Sequence, residues 1–68
     1  MNAFIEIPED EEHRNFALAI AHIASVEFHE GTVSICIADH RRDVILVGEM
    51  AKRFRAWWDS KADVYRLT

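Results

Sequence analysis

The chain has 68 residues, with one cysteine (Cys36), one proline (Pro8) and two glycines (Gly31 and Gly48). A lone cysteine forms no internal disulfide, and a small secreted domain ordinarily carries several pairs, so the sequence reads as cytoplasmic. Two isolated glycines cannot build a phosphate-cradling loop. No apolar run approaches the roughly 18 residues that span a bilayer. The longest uncharged stretch, residues 15–26, includes His22 and Ser25. No membrane partner is therefore expected. The first residues have neither the basic start nor the apolar run of a leader. With no Pro/Gly/Ser linker and no repeat, one domain over residues 1–68 is expected.

Half the residues are hydrophobic and 29% are charged, a globular composition too apolar for disorder. A chain this short buries only about 60% of its unfolded surface, so its core is marginal and a second copy is a reasonable source of more. The net charge is −4, unevenly spread. Residues 1–30 hold seven acids against Arg14, a balance of −6; residues 31–68 hold five acids against seven bases, a balance of +2. This polarity suits head-to-tail association or docking on a basic partner, and equally a solvated acidic loop beside a basic helix face.

Residues 3–7 form a β-rich run ended by Pro8, followed by the acidic series Glu9, Asp10, Glu11 and Glu12. Residues 14–28 fit two patterns. As a helix, Phe16, Ala19, Ile20, Ile23 and Val26 make a stripe, but Glu27 falls inside it while Leu18 and Phe28 fall outside. As strands, Phe16, Leu18 and Ile20 alternate with Ala17 and Ala19, and a second alternation runs through Ala24, Val26 and Phe28. The phase shift near Ala21 and His22 then needs only a turn or bulge. The strand pattern is the better fit.

Glu30-Gly31 suits a hairpin turn. Residues 32–38 alternate, with Val33, Ile35 and Ile37 on one face. Residues 39–42 read as a polar turn. Val44, Ile45, Leu46 and Val47 are four apolar residues in a row, which predicts a strand buried on both faces. Gly48 breaks it. Residues 49–60 predict a helix whose Met50, Phe54 and Trp57 share a face, with Ala51, Trp58 and Lys61 beside them. The tail, residues 63–68, reads as an edge strand or a packed end. The expected fold class is α+β: an antiparallel meander of four or five strands, as a curled sheet or small partly open barrel, with a C-terminal helix.

The order "AIAHIASVE", a glycine turn, "TVSICIAD", a polar turn, then "DVILVGE" and a helix resembles small bacterial accessory proteins of flagellar and swarming motility. The likeness covers residues 16–56, and His22-Ile23 followed by Val26-Glu27 is its distinctive part. The chain departs from that pattern at Ala21, where an acid is usual, at the His40-Arg41-Arg42 turn, and in the acidic segment and Trp57-Trp58 pair. The resemblance implies a strand-rich layout ending in a helix and supplies no catalytic residues.

The sequence offers little chemistry. Four histidines at 13, 22, 29 and 40 are spread too far for a zinc motif, and only His40 and Cys36 lie close, so surface or turn histidines and no metal or other cofactor are expected. Cys36 sits in an alternating strand without a base fixed beside it, so it reads as a small structural residue. The carboxylates at 9–12 lack a pocket to shift a pKa and place a substrate. Arg41, Arg42, Lys52, Arg53 and Arg55 with a stacking Trp would suit nucleic acid, but the acidic half repels phosphate, so that partner is disfavoured.

What remains is a non-catalytic protein-binding adaptor or regulatory module, self-associating as a homodimer, with a protein partner whose identity the sequence does not give. If Trp57 enters the core, Trp58 lies about 100° away on the helix. Beside Arg55 it then has the composition of an interface hot spot, unless it lies flat and shields the sheet edge. The alternative use of the same residues is a phage-type inhibitor of a host defence complex, with Glu9, Asp10, Glu11 and Glu12 standing in for phosphates.

Overall fold

The computed structural model describes residues 3–39 and 42–67. Five strands precede one helix: β1 (Phe4–Ile7), β2 (Phe16–Ala19), β3 (Ile23–His29), β4 (Thr32–Ile37), β5 (Val44–Val47) and α1 (Gly48–Asp59). The α+β class is as expected, and Phe16–Ala19 and Ile23–His29 are strands. The phase shift is a 3₁₀ turn over Ile20–His22, followed by a bulge between Ile23 and Ser25.

Among the described residues the strands form two sheets, and not the expected single meander of four or five strands, curled or closing into a barrel. β1 pairs only with β2, while β3, β4 and β5 form a separate three-stranded antiparallel sheet in that order. The physical reason lies in the 3₁₀ turn. The first ladder extends to Ile20 N–H on Ala3 O (3.0 Å), and the second begins with Ala38 N–H on His22 O (2.8 Å). The three-residue turn thus hands the chain from one ladder to the other, and β2 and β3 never become hydrogen-bonded neighbours. Only the second sheet is a meander.

The core draws on both sheets and the helix. Ile7 and Leu18 from the first sheet, Val33, Ile35 and Leu46 from the second, and Met50, Ala51 and Phe54 from α1 are all buried and in one cluster. Opposite residues in register share a face: Val33 with Leu46 and Ile35 with Val44 turn inward, and Ser34 with Ile45 turns outward. Ile45 is 47% exposed, which corrects the expectation of a strand buried on both faces. Its outward neighbours across the ladder are polar, so four apolar residues in a row do not here mark two buried faces.

Gly31 (φ +74°) closes the β3–β4 hairpin, and Gly48 (φ +60°) turns β5 into α1. Both take the left-handed conformation that side chains other than glycine resist. The expected polar turn at 39–42 includes His40 and Arg41, which lie outside the described residues. So does Thr68 of the tail; described residues 61–67 form no strand. Among the described residues no helix is long and apolar enough to cross a bilayer.

Candidate functional site

Trp58 is half-buried rather than projecting. Its ring meets Phe28 of β3 edge-on at 5.8 Å and stacks near Phe54 at 6.4 Å, and Trp57 packs on Phe54 at 5.3 Å. Arg55 lies over the Phe28 ring, 4.0 Å from its centre, and its Nε donates to Asp59 at 3.2 Å. Trp58 and Arg55 therefore share a neighbour, Phe28, whose place in the cluster the sequence did not single out. Helical spacing accounts for the rest: residues 54, 57 and 58 are i, i+3 and i+4 on one side of α1.

Trp57 and Trp58 also line a largely apolar groove of about 500 Å³ with Ala3, Ile20, Ala21, Ile23, Lys61 and Asp63. One wall is thus the helix end and the other the 3₁₀ turn. Lys61 bonds Asp63 at 3.2 Å and lies over the Trp57 ring at 4.9 Å. Beyond Asp63 the tail is tied back: Arg66 Nη2 donates to Trp58 O at 2.6 Å and to Lys61 O at 3.3 Å. Trp58 O already accepts the Lys61 N–H at 3.1 Å, so Arg66 adds a charged donor to that carbonyl and complements the helix dipole. Tyr65 and Leu67, on either side of Arg66, are each 89% exposed. Arg66 was not singled out from sequence, because nothing local shows a tail folding back on a helix.

No match came from comparison with protein-family models, curated proteins or solved structures. The chain's own geometry carries the rest of the argument.

The acidic segment lies in the loop between β1 and β2. Glu9, Asp10, Glu11 and Glu12 are exposed residues, yet their carboxylates are not equivalent. Asp10 Oδ1 accepts from Glu12 N–H (2.8 Å), His13 N–H (2.7 Å) and His13 Nδ1 (2.7 Å). This is an Asx turn closed by a ring. Loss of surrounding water raises the Asp10 pKa and is the largest single effect. The hydrogen bonds from Glu12 and His13 together outweigh it, and the carboxyl lies below its ordinary 3.8.

These bonds are present above the unfolded-state value and are lost as pH falls through the lower folded value. The amide resonances of Glu12 and His13 are therefore expected to titrate together, with a midpoint below 3.8. A nuclear magnetic resonance titration checks this, and a midpoint above 3.8 would show that the turn does not hold the ionised carboxylate.

His13 is a turn histidine and not a surface one: its side chain is only 5% exposed. His22 and His29 are exposed as expected, and His40 lies outside the described residues. His13 Nε2 accepts the Val47 N–H at 3.2 Å, so both ring nitrogens are engaged. A His–Asp pair is a common general-base arrangement, but here the nitrogen that would take a substrate proton already holds a backbone amide. The Asp10–His13 spacing was the one available signal, since an aspartate often binds the amides two and three residues on. Cys36 is half-buried, opposite Ser25 on the outer face of the second sheet. Among the described residues no three His, Cys, Asp or Glu come together to hold a metal ion.

Proposed function

We propose that this chain is a small non-catalytic protein-binding adaptor or regulatory module, of bacterial or phage origin, working in the cytoplasm and self-associating as a homodimer. The carrying observation is the apolar groove of Trp57 and Trp58 beside a tail that Arg66 ties down, leaving Tyr65 and Leu67 exposed. Large apolar side chains held outward beside an aromatic groove cost solubility unless another surface covers them. Aromatic and arginine residues around such a groove are the side chains that dominate protein contacts.

A second reading is favoured by the acidic loop. Asp10 and His13 fix its shape, while the Glu9, Glu11 and Glu12 side chains have no ion-pair partner among the described residues. A fixed display of three carboxylates suits a phage-type inhibitor that occupies the phosphate-binding surface of a host defence complex. In this reading Asp10 shapes the loop and the three glutamates make the contact.

One experiment separates the two. Solution mass is measured by light scattering over a dilution series for wild type, for Tyr65→Ser/Leu67→Ser, and for Glu9→Gln/Glu11→Gln/Glu12→Gln. Exposed changes of this kind alter folding stability by about 0.5 kcal/mol or less. The expected result is a wild-type dimer, a monomeric tail variant and a dimeric loop variant. A wild-type monomer at every concentration removes self-association and leaves the acidic loop as the leading contact.

A further inference from the structure

His13 joins a carboxylate to a strand edge. Gly48 N–H bonds Gly31 O, on the β4 side of the ladder, at 3.2 Å. Alternation along β5 then turns the Val47 N–H away from β4, toward the free edge of the sheet. That amide is the one His13 Nε2 accepts. An unpaired edge strand invites pairing with another chain, and proteins ordinarily cover or blunt it. Here the Val47 N–H is met by one imidazole, brought in by the loop between β1 and β2.

An amide can only donate, so Nε2 must carry a lone pair and the ring proton must sit on Nδ1, facing Asp10. A second proton can enter only at Nε2, and it cannot share that position with the Val47 N–H. We propose that His13 is a proton-sensitive latch. Neutral, it holds the acidic loop on the β5 edge; protonated, it lets go of Val47 and frees both loop and edge.

The charged groups grouped with it are Glu9, Asp10, Glu11, Glu12 and Arg14 in its own loop, and Glu49 follows Val47 by two residues in the first turn of α1. β2 and β5 contribute none. Asp10 stays ionised while an imidazole titrates, because its pKa lies below 3.8. The released imidazolium therefore keeps a carboxylate partner within the loop. The sign follows from proton count: the open state binds one proton more than the closed state, so opening becomes easier as pH falls.

The test follows the Val47 amide by nuclear magnetic resonance from about pH 8 to about pH 5, the range in which imidazole ordinarily titrates. Its protection against hydrogen exchange, corrected for the intrinsic pH dependence, is expected to fall about tenfold, as for loss of one such hydrogen bond. The midpoint should coincide with that of the His13 ring proton and not with those of His22 or His29. In His13→Gln the side-chain oxygen still accepts but does not titrate, so Val47 protection should stay level. Unchanged Val47 protection in wild type, or an equal fall in His13→Gln, overturns the latch. If the variant does not fold, the wild-type midpoints decide: a Val47 midpoint matching His22 or His29 instead of His13 also overturns it.

Discussion

Phe54→Ala is expected to cost about 3–5 kcal/mol of folding stability, the largest loss of any single truncation in this core. Phe54 is 2% exposed, lies in one core cluster with residues of both sheets, meets both tryptophan rings, and is among the largest fully enclosed side chains. Truncating such a residue costs about 3–5 kcal/mol through lost burial and the cavity left behind. A domain of this length holds roughly 3–10 kcal/mol in total. The substitution therefore removes the whole margin at the lower end and about a third to a half at the upper. Urea unfolding followed by circular dichroism measures it, and tryptophan fluorescence gives a second signal because both indoles touch the site. A loss below about 1.5 kcal/mol would mean that Phe54 does not seat the helix. Phe54→Leu, which keeps most of the volume, should recover much of the loss.

Trp58→Ala is expected to lower folding stability by about 2–3 kcal/mol, less than a fully buried tryptophan because the indole is half-buried. The loss comes from its edge contact with Phe28 and its stacking near Phe54. Phe28 also carries the Arg55 guanidinium, so removing the indole loosens that contact as well. The measurement must separate packing from association, because Trp58 also lines the groove. Thermal unfolding at two protein concentrations does so. A lower melting temperature at both assigns the indole to the fold. An effect under about 0.5 kcal/mol on the monomer, joined to loss of the dimer, assigns it to the interface instead.

Much of the fold could be read from short-range pattern. Alternation placed Val33 and Ile35 inside, and helical spacing placed Met50 and Phe54 there, because each period fixes a face without knowledge of the partner. Residues 14–28 resisted because two strands joined by a 3₁₀ turn mix two phases of one period; Leu18 and Phe28, stranded outside the helical stripe, tipped the balance toward strands. Pattern fixes which way a strand faces but not which strand it joins, so the split into two sheets was not legible. Ile45 misled because its exposure depends on what lies above the sheet.

The candidate surfaces were legible in composition only. Trp58, Arg55 and the acidic residues stood out by type, but the sharing of Phe28 and the inward turn of Asp10 required coordinates. His13 reaches a strand 34 residues further on, a distance over which local sequence carries no signal.

The division into two sheets also sets an order of events for a nascent chain. β3, β4, β5 and α1 follow one another without interruption over residues 23–59, with strands pairing to their chain neighbours and the helix lying on β4 and β5. Contacts closed over such short loops form quickly. β1 and β2 are made before β3, β4, β5 and α1, yet Ile7 and Leu18 have no core to enter until Leu46, Met50 and Phe54 have been made. The first segment must wait with Phe4, Ile5, Ile7, Phe16 and Leu18 uncovered. The five carboxylates between Glu6 and Glu12 lie in the middle of that waiting stretch. Like charges placed beside an exposed β-prone segment disfavour its pairing with a second copy, the service that charged gatekeepers give.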